Sequence, residues 1–347
     1  MGTRIRKIQS GGGAGVKSIR SFKINPFVFS ASVLFGLIAG FRLLGRGADF
    51  VNYELLFSTR GEYSIGVEPF WALLRKVSVY IGGAPIVFVL VSIFTLNVFY
   101  KSVKQHTAFK YAGFVFYLFT FYILHQYTQI RAAAAISIFF LSWDDLRDRK
   151  FKPYLFKTLV AVCFHYSALL MLPLYIYTKI KNKKLYLFLP ILFFLVDVFF
   201  VRNIEGAVSA FLDFLSGGNA LLQFVFAKIS FRSGEEPSIF NKQYLSFLSI
   251  LITLAFVIIF NKKRPVLKDE LLAYKILSFV CFSFYFIFPT GLTVLLFRVP
   301  EYFSPVVIFA LLMLASKFKE RYLILFVAFI YVLILSMTFC RAVFFGG

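Results

Sequence analysis

The chain has 347 residues, a net charge of +22 and a mean hydropathy of +0.80. Sixty per cent of its residues are hydrophobic and only 16% are charged, more apolar surface than one soluble core of this size can hide. Nor does the positive charge point to nucleic acid: Lys and Arg sit in short loops beside apolar runs, the pattern of a polytopic membrane protein.

Residues 1–26 are basic and Gly-rich and read as a cytoplasmic tail. The apolar run that follows has no small-residue cleavage site, so it reads as an anchor helix and not as a removed signal peptide. Residues 27–347 then form one transmembrane domain. Spans are expected at 27–44, 84–100, 111–125, 129–143, 185–201, 244–260, 272–290, 299–315 and 322–339. No repeat of 20–50 residues is visible.

The segment "PYLFKTLVAVCFHYSALLMLPLYIYTKI", 153–180, is either one tilted helix or two short helices folded back at "FHYSA". Charge decides. With a fold-back, 24 Lys and Arg fall on the inner side, and 11 fall outside among nine acids. Two full spans need about 40 residues, so the pair is short and re-entrant, with His165 at its tip. The expected fold is all-α, with about 9–11 transmembrane helices including this pair.

Two outer loops result, at about 45–83 and 202–243. Both carry apolar stretches suited to helices at the interface. Pro69 suits a first helical turn, with Glu68 beside the positive helix end. Asp49 can cap a helix that carries Tyr53 on the same face.

This topology gathers polar residues on the outer side. Gln129 and Arg131 open one helix and Arg298 opens another. His165 tips the folded pair, and Asp49, Tyr53 and Glu68 lie in the first outer loop. Such a ring suits phosphate-linked chemistry. Guanidinium stays charged and its planar fork matches phosphate oxygens. It can stabilise a leaving diphosphate, while a histidine or carboxylate activates a hydroxyl. The alanines after Arg131 leave room for a helix or a substrate to approach.

Plainer roles exist for each residue. Arg131 and Arg298 also suit snorkelling anchors, and His165 a buried or interfacial histidine. Asp49 also suits a simple cap, and Glu68 a helix-end charge. Asp197 either pairs with a neighbour such as Lys275 or sits near the outer interface. His106 and His125 read as loop-edge residues. Cys163, Cys281 and Cys340 read as small core residues. There is no zinc spacing, phosphate loop or nucleophile elbow, and no close acid pair for a divalent cation. Neither metal nor cofactor is expected.

The same residues carry a family resemblance. "GRGADFVNYELLF", with Asp49, Tyr53 and Phe57, resembles the Asp–Tyr–Phe stretch after the first span of the EpsG family of Wzy-type polysaccharide polymerases. "GVEPFWALL" is similar to that family's Glu segment, here Glu68. "QIRAAAAISIFFL" resembles its Arg helix, with Arg131. "VCFHYSALLMLPLYI" resembles its His-x-Ser-Ala segment, with His165, Ser167 and Ala168. "FRVPEYFSPVVIFALL" resembles its late Arg segment, with Arg298. The order and spacing cover nearly the whole chain after Phe27. Pro69 stands where the family often has glycine, and the second outer loop matches nothing in the pattern.

The resemblance implies a GT-C-type membrane glycosyltransferase of the bacterial cytoplasmic (inner) membrane. It implies an oligosaccharide substrate linked to undecaprenyl diphosphate, joined into O-antigen, capsule or exopolysaccharide on the outer face. Arg131 and Arg298 would bind the diphosphate. His165, Glu68 or Asp49 would activate or orient the acceptor hydroxyl. Tyr53, Gln129, Arg46 and Ser167 would line the sugar pocket. Membrane lipids, a chain-length regulator and a flippase are the expected partners. The rival readings are a lipid-linked oligosaccharide flippase, which should show internal repeats, and a membrane O-acyltransferase, which leaves the two arginines without work.

Overall fold

A computed structural model describes residues 25–44, 53, 56–57, 67–200, 205–217, 238–260 and 265–344. Among the described residues every regular element is helical. Helix α1 (Pro26–Gly40) starts where its residues dictate: the Asn25 side chain accepts from the Val28 amide, and Pro26 needs no donor there. It lies along α3 (Gly83–His106) by a Gly-x-x-x-Gly face, Gly36 and Gly40. A methyl placed on Gly40 would come within 2.6 Å of the Pro85 carbonyl. Alanine for glycine in a helix normally gains about 1 kcal/mol. For Gly40→Ala the sign should reverse, with a lower unfolding midpoint for the purified protein in detergent; a rise would contradict this packing.

Helix α2 (Pro69–Ile81) is amphipathic. Trp71 is buried, while Val79 and Tyr80 are open. Gly82 and Gly83 both have φ in the left-handed region, and this turns the chain from α2 into α3 at no Cβ cost. Helix α4 (Lys110–Thr120) is followed by a π-helical turn at Ile123–Thr128, and then α5 (Ile130–Leu141). The wide turn is marked by the Gln129 amide, which bonds to the Leu124 carbonyl five residues back at 2.8 Å. His125 belongs to this turn. It is fully buried, shares a 3.1 Å hydrogen bond with Tyr117, and stacks on Phe121. It is therefore a core residue, not the loop-edge residue expected from its flanks.

After the short α6 (Trp143–Arg147) come α7 (Phe151–Phe164) and α8 (Met171–Tyr177), joined through a 3₁₀ turn at Tyr166–Leu170. The Tyr154 hydroxyl donates to the Met171 carbonyl at 2.8 Å, and the Tyr175 hydroxyl to that of Arg149 at 3.0 Å. These bonds require α7 and α8 to run antiparallel, so the chain reverses at His165, as the charge pattern demands.

Helices α9 (Leu185–Phe200), α10 (Glu205–Ser216), α11 (Lys242–Ala255) and α12 (Lys268–Ile287) follow. Asp197, in α9, is buried but does not pair with Lys275, whose ammonium donates to the Thr178 carbonyl at 2.5 Å. Cys163 is exposed and Cys281 buried, so of these two the second is a core residue; the Cys340 side chain lies outside the described residues. The late arginine segment, expected as one helix, is two: α13 (Thr293–Phe303) and α14 (Val306–Lys317), bent by 42°. Pro305 falls at the break, where its ring and missing N–H oppose a continuous helix. Helix α14 is buried from Val306 to Ala315 and forms the centre of the bundle, with Phe309 stacked on Trp143 and Phe140. Helix α15 (Arg321–Phe344) closes the chain.

Among the described residues, three helices are long and apolar enough to cross a membrane: α3, α11 with its π-helical extension, and α12 with the turn after it. The bent pair makes a fourth if taken as one span. The other apolar helices are shorter over the residues searched, so three or four of the expected nine to eleven spans meet this measure.

Helix α6 and the start of α12 carry an ion cluster. The Arg147 guanidinium lies 3.0 Å from Asp269 and 2.8 Å from Asp144, and Trp143 donates to Asp269 at 3.0 Å. This cluster lies at the opposite ends of α5 and α7 from Arg131 and His165.

Candidate functional site

The site is built where α2 docks on the reversal of the chain. Trp71 fills an apolar cluster with Tyr53, Leu56, Phe88 and Ile130. Its indole N–H donates to the Phe164 carbonyl at 2.8 Å, and Phe70 packs on the Phe164 ring. The residue before the helix, Glu68, is thereby pressed against His165. It occupies the N-cap position of α2, but its carboxylate makes no side-chain cap bond. One oxygen lies 2.7 Å from His165 Nδ1 and the other accepts from Arg131 Nη1 at 2.8 Å.

Glu68 is only 2% exposed. Burial pushes its carboxyl up, but the His165 hydrogen bond and the charges of Arg131 and His165 outweigh burial and hold it below the ordinary range. The group is thus a carboxylate, and a carboxylate only accepts. Nδ1 of His165 then carries a proton, so the tautomer of the uncharged ring that fits this contact has its lone pair on Nε2. The His165 side chain is 18% exposed, so Nε2 can be reached.

Arg131 turns inward to this carboxylate and does not snorkel away. Its guanidinium lies 5.7 Å over the Tyr53 ring, while its Nε is buried with no hydrogen-bond partner. The side chain is 31% exposed, so the cation is fixed from behind and open in front. A phosphoryl oxygen is the kind of acceptor that the open face of a fixed guanidinium suits.

A second arm runs from the same helix start. Gln129 Nε2 donates to Glu301 Oε1 at 2.9 Å, and Glu301 Oε2 lies 3.5 Å from Arg298 Nη1. Helix α13 also touches the turn after His165, where the Tyr302 hydroxyl meets the Met171 sulfur at 3.7 Å. Thus Arg298, Glu301 and Gln129 form one hydrogen-bonded arm and Arg131, Glu68 and His165 another, and the two arms start from positions 129 and 131 of the chain.

Sequence reading missed Glu301. Its only local signal is the i, i+3 spacing to Arg298 on a helix. Tyr53 is buried behind Arg131 and does not line an open pocket. Ser167 is half-buried in the 3₁₀ turn and makes no hydrogen bond to either arm. Asp49 and Arg46 lie outside the described residues. The alanines after Arg131 are buried between α3 and α7, so the room they leave is taken by helices. No group of three or more His, Cys, Asp or Glu converges as a metal site among the described residues.

A bundle of apolar helices with an arginine–carboxylate–histidine line at one end is a helical membrane protein with a polar site able to hold an anion. The model of the EpsG family matches residues 26–346, which take in the whole line, and the chain belongs to that family. Members of the family are Wzy-like polysaccharide polymerases. No curated protein and no solved structure matches the chain.

Proposed function

We propose that the protein is a GT-C-type membrane glycosyltransferase that joins lipid-linked oligosaccharide repeat units into a surface polysaccharide. The observation that carries this reading is Glu68 shared between Arg131 and His165. It supplies, side by side, an imidazole that can take a proton and a fixed cation with an open face.

In the proposed reaction the acceptor sugar hydroxyl gives its proton to His165 Nε2. Its oxygen bonds to the anomeric carbon of the growing chain. The bond from that carbon to the phosphate oxygen breaks, and lipid diphosphate leaves with the electron pair. Glu68 stabilises the imidazolium as it forms, and Arg131 and Arg298 take up the leaving charge. Undecaprenyl diphosphate, the carrier suggested by the family, fits this anion seat, and the opposing basic loops favour an outward site in the bacterial cytoplasmic membrane. Pure transport would leave the carboxylate-held imidazole without a task.

The test uses purified protein in vesicles with lipid-linked oligosaccharide and no partner protein. Wild type should lengthen the glycan. His165→Gln should slow lengthening by about 10²–10⁴-fold while still binding the donor. Lengthening by His165→Gln at the wild-type rate removes the histidine from the mechanism, and a wild-type protein that only moves the lipid overturns the polymerase reading.

A further inference from the structure

Both site arginines face a carboxylate, but the two pairs are built differently. Glu68 and Arg131 meet at 2.8 Å with the acid buried, and both oxygens of Glu68 are used. Breaking that pair strands a buried charge, so it persists through a reaction cycle. Glu301 and Arg298 meet at 3.5 Å, with side chains 19% and 38% exposed. This is a weak, solvated pair on one helix face, of the kind that contributes little to stability. Glu301 is nevertheless not loose, because its other oxygen is held by Gln129 at 2.9 Å. A carboxylate is thus tethered beside the more open arginine, on the group that a phosphate would also seek.

The proposed reaction makes this placement consequential. When the bond between anomeric carbon and oxygen breaks, that oxygen becomes terminal and the diphosphate gains a negative charge. Arginines that stabilise its departure therefore hold the product more tightly than the substrate, and release becomes the slow step. A tethered acid has a high effective concentration at its neighbour.

We infer that Glu301 is a release residue: it occupies Arg298 in the resting protein, yields it to the donor diphosphate, and reclaims it to expel the lipid diphosphate product. It acts through Arg298, as a positioning residue and not a catalytic one. The inference rests on the polymerase reading for its purpose, but its electrostatic core is testable without turnover.

The variant is Glu301→Gln, whose side-chain oxygen can still accept from Gln129 and which removes only the charge. The first readout is binding of inorganic diphosphate to purified protein in detergent. Glu301→Gln should bind it roughly 2- to 10-fold more tightly than wild type. The gain should vanish in an Arg298→Ala background, as coupling between the two side chains requires. The second readout is steady-state lengthening: KM for the lipid donor and kcat should fall together, and inhibition by added lipid diphosphate should strengthen. A merely structural Glu301 would leave KM alone or raise it. Equal or weaker diphosphate binding by Glu301→Gln overturns the release role, while Arg298-dependent binding in wild type leaves the anion site standing. If wild type binds no diphosphate, both the release role and the anion site fail. Monodisperse elution of each variant shows that binding is compared between folded proteins.

Discussion

Glu68→Gln is expected to fold, insert and bind donor, yet to lengthen glycan about 10³–10⁴-fold more slowly. The reasoning starts from the tautomer. Glutamine can present an amide N–H to His165 Nδ1, so that nitrogen becomes the acceptor and Nε2 carries the proton. A ring in that state cannot take a proton from the acceptor hydroxyl, and an imidazolium would form without a counter-charge beside it. Arg131 would lose its partner as well. Breaking a fully buried ion pair costs about 3–5 kcal/mol. With Arg131 still 31% exposed, solvent recovers part of that, and a stability loss of about 2 kcal/mol is the reasonable figure. The pH dependence follows from sign. A carboxyl held below its ordinary value stabilises the fold at pH above the unfolded value of about 4.3, and that contribution is lost as pH falls through the lowered native value. The gap in unfolding midpoint between wild type and Glu68→Gln should therefore hold from pH 7 to 5 and close in stronger acid. A gap that closes by pH 6, or a variant that lengthens glycan normally, would mean that the carboxylate is not doing this job.

Arg131→Ala should be the other severe substitution, slowing lengthening about 10²–10³-fold, the usual scale for removing one fixed donor from developing charge. It also strands Glu68, which is 2% exposed and would then face only the imidazole. Part of the loss will thus be shared with Glu68→Gln, and the double variant should be less impaired than the product of the two singles. Arg131→Lys keeps the charge but not the planar fork or the Nε donor, so it should recover only a fraction of the rate. A stably inserted Arg131→Ala protein that makes long polymer at the normal rate would remove the arginine from anion stabilisation. Turnover at saturating donor, measured with unfolding midpoints on the same preparations, separates the kinetic loss from instability.

Much of this was legible in the residues. Apolar runs and basic loops mark a membrane chain, and the charge asymmetry demands the reversal at His165 that Tyr154 and Tyr175 stitch in place. Glu68, Arg131, His165 and Arg298 stand out as polar groups at helix ends. Their partnerships do not, because the pairing of Glu68 with Arg131 spans 63 residues and that of Gln129 with Glu301 spans 172. Spacing along a chain carries no information about such contacts. Glu301 carries no local signal beyond its spacing to Arg298, and His125 reads as a loop edge, because neither residue's contacts are written in its neighbours. The Gly36–Gly40 signal was present and went unread.

The π-helical turn before Arg131 has a geometric consequence. Relative to an α-helix it winds one surplus residue into the turn, and each residue of an α-helix represents about 100° of rotation. The entry of the chain into the helix of Arg131 is therefore indexed by chain length as much as by chemistry. A chain one residue shorter between 123 and 128 would keep every side chain of the site yet change how the chain enters Gln129, whose non-helical backbone leads it into α5.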